Sequence, residues 1–124
     1  MSRSARAWYG QIPAACHAGE ALRARGREAF DDDELLQRAA KNICLELGEA
    51  AKQIAADDPE EFVRTGYERW PLVVRMRDFY GHNYPVTDLN VLWDTIVVDL
   101  PLIRRAVGGR LATLDDAAPP AGSH

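Results

Sequence analysis

The sequence predicts an all-α protein, an antiparallel helical bundle of about five helices. Apolar residues recur at spacings of three and four through three long stretches, which is the period of a helix that is buried along one face. Capping residues, prolines and glycines separate these stretches. Short β-branched runs such as Val97-Val98 fall inside helical periods, so the signal for strands is weak.

The first two predicted helices are long. The first covers residues 2–27, and Gly26 marks its end. The second begins at the three aspartates of residues 31–33, whose carboxylates can cap free N–H groups and favour the positive end of the helix dipole. The apolar positions of the first helix are Trp8, Ile12, Ala15, Gly19 and Leu22. Those of the second are Leu36, Ala40, Ile43, Leu47, Ala50 and Ile54, and the charged residues Lys41, Glu46, Glu49 and Lys52 lie mostly off this stripe.

Two shorter helices are predicted next. Asp58, Pro59 and Glu61 have the spacing of a cap, a first-turn proline and a capping-box glutamate. The following helix begins at Trp70-Pro71 and ends near residues 80–84, because a glycine and a proline there disfavour its continuation.

The last predicted helix is capped by Thr87 and ended by Gly108-Gly109, and Pro101 should kink it or mark where it leaves the core. We expect one helical domain over residues 1–110. Residues 111–124 are rich in alanine, proline and glycine and are expected to form a disordered tail. The apolar face of the last helix consists of Leu89, Leu92, Trp93, Ile96, Leu100, Ile103 and Val107.

The net charge of −4 excludes a protein that binds nucleic acid through bulk positive charge. The charge is uneven, however. Residues 28–62 hold three cationic and eleven acidic side chains, whereas residues 63–86 hold four cationic and two acidic ones. An anion site is therefore expected near the arginines of the second stretch, and the acidic helix is expected to be a solvated face or a partner face.

No apolar run is long enough to span a membrane, and residues 1–10 lack the apolar stretch of a secretory signal. We therefore expect a cytoplasmic protein without membrane contact. Cys16 and Cys44 are then expected to be reduced thiols in the core rather than a disulfide. The sequence contains no phosphate-binding glycine loop and no convincing set of metal ligands, so we expect neither a cofactor nor a metal.

Residues 75–84 stand apart because they combine arginine, carboxylate, imidazole and phenol groups. An arginine such as Arg77 can clamp a phosphate, and His82 can transfer protons near neutral pH. Together they suit cleavage of a phosphodiester without a metal. The same residues also fit an ordinary helix end, with the histidine near the helix dipole and the arginines packed on the surface. Five residues correspond to about 140° around a helix, so Gly81 must redirect His82 or a second copy must complete the site.

The order of Arg77, four residues, His82, one residue and Tyr84 resembles the motif of HepT-like proteins of the HEPN family. The similarity extends over about residues 5–107. Asp78 stands where the family usually has asparagine. The other segments that resemble the family, in the same order, are Asn42-Ile43, residues 47–52, Trp70-Pro71, Met76, Asp88-Leu89, Trp93-Asp94 and residues 99–101.

This resemblance implies a HEPN-like fold and a homodimer whose two motifs meet at the interface. It also implies the toxin component of a toxin–antitoxin pair, which cleaves RNA without a metal through attack by a 2′-hydroxyl. Arg77 would bind the phosphate and His82 would act as acid or base. The implied partner is a minimal nucleotidyltransferase antitoxin of the MntA type, which neutralises the toxin by transferring AMP to Tyr84. Asp78 would either repel the phosphate or pair with His82 and hold it in the charged form.

Two other interpretations stay open at this point. A non-catalytic HEPN-like adaptor that binds a nucleotidyltransferase would agree with the carboxylate at Asp78. A helical scaffold without any link to nucleotides would agree with the composition alone. RNA degradation that depends on His82 would separate the ribonuclease from both alternatives.

Overall fold

A computed structural model describes residues 1–81 and 88–117. Within these ranges the chain forms six helices and no strand, which confirms the all-α prediction. The first five helices are α1 (Arg3–Ala24), α2 (Arg27–Asp32), α3 (Glu34–Asp57), α4 (Pro59–Arg64) and α5 (Trp70–Gly81). The last, α6, is continuous through Leu89–Asp94, a π-helical turn at Thr95–Asp99, and Leu100–Ala117.

The helix that the sequence did not predict is α2. Gly26 ends α1 with a φ of 88°, which glycine adopts without the steric cost of a side chain. The chain then forms the short helix α2. This helix buries Phe30 completely and places its ring centroid 5.3 Å from that of Trp93. Asp33 caps the following helix by accepting a hydrogen bond from the N–H of Leu35. The burial of one aromatic side chain therefore inserts a helix between the two long ones.

α3 is the centre of the bundle and packs most extensively against α1 and α5. The ends of α1 and α3 show that these helices run in opposite directions. The hydroxyl of Ser4 donates to Asp57, and the N–H of Ser2 donates 2.8 Å to a carboxylate oxygen of Asp58. Both contacts join the first turn of α1 to the last residues of α3 and the residue after it.

The predicted apolar faces are largely correct, with one exchange on α1. Ile12, Ala15, Gly19 and Leu22 are buried as predicted. Trp8 is only partly buried, and its neighbour Tyr9 is completely buried instead. The buried residues of α3 are Ala40, Ile43, Cys44, Leu47, Gly48, Ala50, Ala51 and Ile54, so its stripe is wider than predicted, whereas Leu36 is half-buried.

The position of Tyr9 explains a second correction, which concerns the predicted capping box of α4. Asp58 caps α4 as predicted, by accepting a hydrogen bond from the N–H of Glu61. The side chain of Glu61 does not close a capping box. It points into the protein, is 1% exposed, accepts a hydrogen bond of 3.0 Å from the hydroxyl of Tyr9, and forms two hydrogen bonds of 2.7 and 2.8 Å with Arg110. A buried carboxylate is stable only with such partners.

Three predictions about α6 require correction. Asp88 caps this helix, by accepting hydrogen bonds from two N–H groups, whereas Thr87, the predicted cap, lies outside the described residues. The disturbance expected at Pro101 takes the form of the π-helical turn before it, where the N–H of Leu100 donates to the carbonyl of Thr95. The helix also continues past Gly108 and Gly109 to Ala117, so the prediction that these glycines end it is wrong.

The two cysteines are buried and unpaired with each other, as predicted. Burial raises the pKa of Cys16 to about 11 and that of Cys44 to about 12. Both are therefore neutral thiols of the core at physiological pH.

Candidate active site

The site is built where α5 crosses α3, at a contact that only glycine allows. A Cβ on Gly48 would lie 2.6 Å from the Cβ and 2.7 Å from the backbone N of Arg77, and 2.8 Å from the carbonyl oxygen of Val73. These distances are far below ordinary van der Waals contact. The missing side chain of Gly48 therefore lets the backbone of α5 approach α3 closely and fixes the position of Arg77 on it.

The side chain of Arg77 is held by a carboxylate of α3. Its Nε donates a hydrogen bond of 2.7 Å to Glu49, and Gln53 donates a second of 3.0 Å to the other oxygen of that carboxylate. The hydrogen bond from Gln53, followed by that from Arg77, lowers the pKa of Glu49. The side chain of Arg77 remains 41% exposed. Its orientation is thus fixed on one edge while a ligand can still reach it from solvent.

Asp78 extends this arrangement. One of its oxygens lies 3.2 Å from the Nη1 of Arg77 and 3.2 Å from the Nζ of Lys52, which comes from α3. Hydrogen bonding to Lys52, followed by that to Arg77, lowers the pKa of Asp78. The carboxylate that replaces the expected asparagine is therefore charged and shared between two cations.

The structure brings two of the four predicted site residues together, Arg77 and Asp78. His82 and Tyr84 lie outside the described residues, so their predicted roles remain predictions, as does a pairing of Asp78 with His82. α5 continues as a helix through Gly81, so the chain does not leave the helix before that residue. Any redirection of His82 must occur after it.

Sequence reasoning missed the contributions of Glu49 and Lys52. Both were placed off the apolar stripe of the second helix, which is correct, on a face interpreted as solvated or as a partner face. Their function depends on contacts between helices, Glu49 with Arg77 and Lys52 with Asp78. The available signal was Gly48, since a glycine within a predicted helix weakens that helix and often marks a close approach of another segment.

An apolar groove of about 310 Å³ lies on the other side of α5, between it and α6. Three large apolar side chains of this groove are between 43% and 50% exposed: Leu72, Phe79 and Val91. Its floor contains Asp99, which is buried and accepts a hydrogen bond of 2.5 Å from the hydroxyl of Tyr67. Solvent-exposed apolar surface of this kind is typical of a contact with another protein.

The sequence matches the family described as Ribonuclease HepT-like over residues 14–108. This match covers more than half of the chain and includes the whole of α3 and α5. The chain belongs to the HepT-like ribonuclease family.

A curated relative agrees with this membership of the HepT-like family. It is a protein of Thermococcus cleftensis named "Probable ribonuclease HepT", which is 31% identical over 90 residues; the alignment covers 57% of this chain and 78% of the relative. No solved structure matches the chain. The resemblance drawn from Arg77, His82 and Tyr84 is therefore confirmed at the level of the family.

The described part of this HepT-like chain shows neither a cluster of metal ligands nor a membrane-spanning helix. Neither residues 1–81 nor residues 88–117 contain a cluster of three or more histidine, cysteine, aspartate or glutamate side chains able to hold a metal. No helix in these ranges is long and apolar enough to cross a membrane.

Proposed function

We propose that this protein is a metal-independent endoribonuclease and the toxin component of a toxin–antitoxin pair. One observation carries the proposal. In a chain of the HepT-like ribonuclease family, the motif residue Arg77 is oriented by Glu49 and keeps an accessible guanidinium. A fixed and exposed guanidinium is what binding and stabilising a phosphodiester requires.

In the proposed reaction, the 2′-hydroxyl of one nucleotide attacks the adjacent phosphorus. A general base accepts the hydroxyl proton, the bond from phosphorus to the 5′-oxygen breaks, and a general acid protonates that oxygen. The products are a 2′,3′-cyclic phosphate and a 5′-hydroxyl. His82 serves as acid or base, and Arg77 neutralises the charge that develops on the phosphate oxygens. Asp78 belongs to the proposed site as the neighbour of Arg77.

The test is induced expression in a bacterial host, with growth and total RNA followed over time. Wild-type protein is expected to stop growth and degrade RNA, whereas Arg77→Ala and His82→Ala are expected to do neither while remaining folded. Arg38→Ala serves as the control, because Arg38 is a largely exposed arginine of α3 away from the motif. Full toxicity in a well-expressed His82→Ala variant would contradict the proposed mechanism.

We also propose a homodimer that brings two motifs into one cleft. The apolar groove between α5 and α6 supports a contact between two copies, because it exposes large apolar side chains. Val91→Asp should then give a monomer in light scattering. Val63→Asp is the control, because Val63 is 77% exposed on α4 and does not line the groove. A wild-type protein that is monomeric at micromolar concentration would refute the dimer.

The proposed control of the toxin is AMP transfer to Tyr84 by a partner nucleotidyltransferase. The phenol oxygen attacks the α-phosphorus of ATP, pyrophosphate leaves, and the phenol proton passes to solvent. The negative adduct would compete for Arg77 and repel RNA. Co-expression with the partner should add the mass of AMP to the wild-type protein and not to Tyr84→Phe. Neutralisation without a mass gain, or a gain that persists in Tyr84→Phe, would refute this assignment.

A second candidate function is a non-catalytic adaptor that binds a nucleotidyltransferase. The observation that favours it is the pairing of Arg77 with two carboxylates, those of Glu49 and Asp78, since both compete with a phosphate. Purified protein that binds the nucleotidyltransferase and leaves RNA intact would favour the adaptor over the ribonuclease.

A further inference from the structure

The motif arginine belongs to a cluster of four charged side chains from two helices. Glu49 and Lys52 come from α3, and Arg77 and Asp78 come from α5. The carboxylate of Asp78 is equally distant, at 3.2 Å, from Nζ of Lys52 and from Nη1 of Arg77. Lys52 and Asp78 are 43% and 51% exposed, so solvent and RNA can reach the pair.

The net charge of this cluster determines whether it attracts or repels a phosphate. Two carboxylates and two cations sum to zero in the wild-type protein. If Lys52 were neutral, these four side chains would together carry −1. An incoming phosphodiester would then meet net repulsion at the residue that has to bind it.

We propose that Lys52 is a positioning residue of the ribonuclease site: it shares the carboxylate of Asp78 with Arg77 and so weakens the competition of this carboxylate with RNA phosphate for Arg77. The inference rests on the proposed ribonuclease function and deepens it. The lowered pKa of Asp78, with Lys52 as its first cause, agrees with this pairing.

The effect of Lys52 should then depend on Asp78, which a double-mutant cycle measures. The four proteins are wild type, Lys52→Met, Asp78→Asn and the double variant. Two unit charges about 4 Å apart in water interact by about 1 kcal/mol, which is about a fivefold change in an equilibrium constant. We therefore expect Lys52→Met to weaken RNA binding about fivefold when residue 78 is aspartate and less than twofold when it is asparagine. Asp78→Asn alone should strengthen binding.

The probe is a single-stranded RNA whose 2′-hydroxyls are methylated, so that it binds without being cleaved. Binding is measured at low and at physiological salt, because screening should reduce the effect of Lys52. With cleavable RNA, Lys52→Met should raise KM while changing kcat less than twofold. Lys41→Met is the control: it removes the same charge from nearly the same face of α3, about 16 Å away along the helix, and should show no dependence on residue 78.

The outcomes separate this inference from the function on which it rests. A wild-type protein that neither binds nor cleaves RNA overturns both. A wild-type protein that cleaves RNA, combined with an equal effect of Lys52→Met in both backgrounds, overturns only the role of Lys52 and makes it a direct phosphate contact. A loss confined to the aspartate background, with the thermal transition of each variant unchanged, supports the inference.

Discussion

Gly48→Ala tests whether the close approach of α3 and α5 sets the position of Arg77. The added Cβ would lie 2.6 Å from the Cβ of Arg77 and 2.8 Å from the carbonyl oxygen of Val73. Carbon atoms in contact prefer about 3.5–4.0 Å, so α5 has to withdraw by about 1 Å. Such overpacking costs about 1–3 kcal/mol of unfolding free energy. Because a shift of about 1 Å in a catalytic group can lower a rate about 100-fold, we expect RNA cleavage to fall by up to about 100-fold in a variant that still folds.

The matched control is Gly10→Ala on α1, where an added Cβ meets nothing within 4 Å. Replacing a glycine within a helix by alanine stabilises by about 0.5–1 kcal/mol, and this gain applies to both variants. Urea denaturation should therefore place Gly10→Ala above the wild type and Gly48→Ala below it. If Gly48→Ala matched Gly10→Ala in stability and the wild type in RNA cleavage, the close contact would not position Arg77.

The remaining predictions concern buried groups. Arg110→Met should lower the unfolding free energy by about 3 kcal/mol at pH 7, because it leaves the carboxylate of Glu61 buried without its cation. The hydrogen bonds from Arg110 hold the pKa of Glu61 below its ordinary range. The difference between the two proteins should therefore shrink as the pH falls and Glu61 becomes protonated; a difference that is constant from pH 7 to pH 3 would contradict this pairing. Cys16 and Cys44, with pKa values raised to about 11 and about 12 by burial, should react with iodoacetamide only after unfolding, and rapid labelling of the native protein would show that their burial is wrong.

Much of the fold was predictable because helical periodicity is a local signal. The stripe from Ala40 to Ile54 lies at positions that alternate by three and four, and the structure buries it as predicted. The start of α4 was predictable for the same reason, because Asp58 and Pro59 act within one turn. The all-α class follows from these local patterns.

The errors arose where contacts distant in sequence override local preference. Glu61 fits a capping box, yet its carboxylate turns inward to meet Arg110, 49 positions further along the chain. Gly108 and Gly109 usually end a helix, yet α6 continues through them to that same arginine. Of the adjacent residues Trp8 and Tyr9, the buried one is Tyr9, whose hydroxyl donates a hydrogen bond to Glu61.

The candidate site was predictable only in part. Arg77 and Asp78 could be identified because they belong to a short motif whose groups share one chemistry. Glu49 and Lys52 could not, because the crossing of two helices brings them to the motif and each looks like an ordinary solvated residue of α3. The charge of Asp78 is visible in the sequence, whereas its partner Lys52 is identified only by the packing of α5 against α3.

The central claim is that Arg77 and His82 cleave RNA without a metal, and purified protein incubated with single-stranded RNA in EDTA tests it most directly. Cleavage should persist in EDTA and leave 2′,3′-cyclic phosphate ends. It should fall about 100-fold or more in Arg77→Ala, as expected for loss of a group that stabilises developing charge, and remain unchanged in the control Arg38→Ala. Activity that disappears in EDTA and returns with magnesium or manganese, or a wild-type rate in Arg77→Ala, would contradict the account.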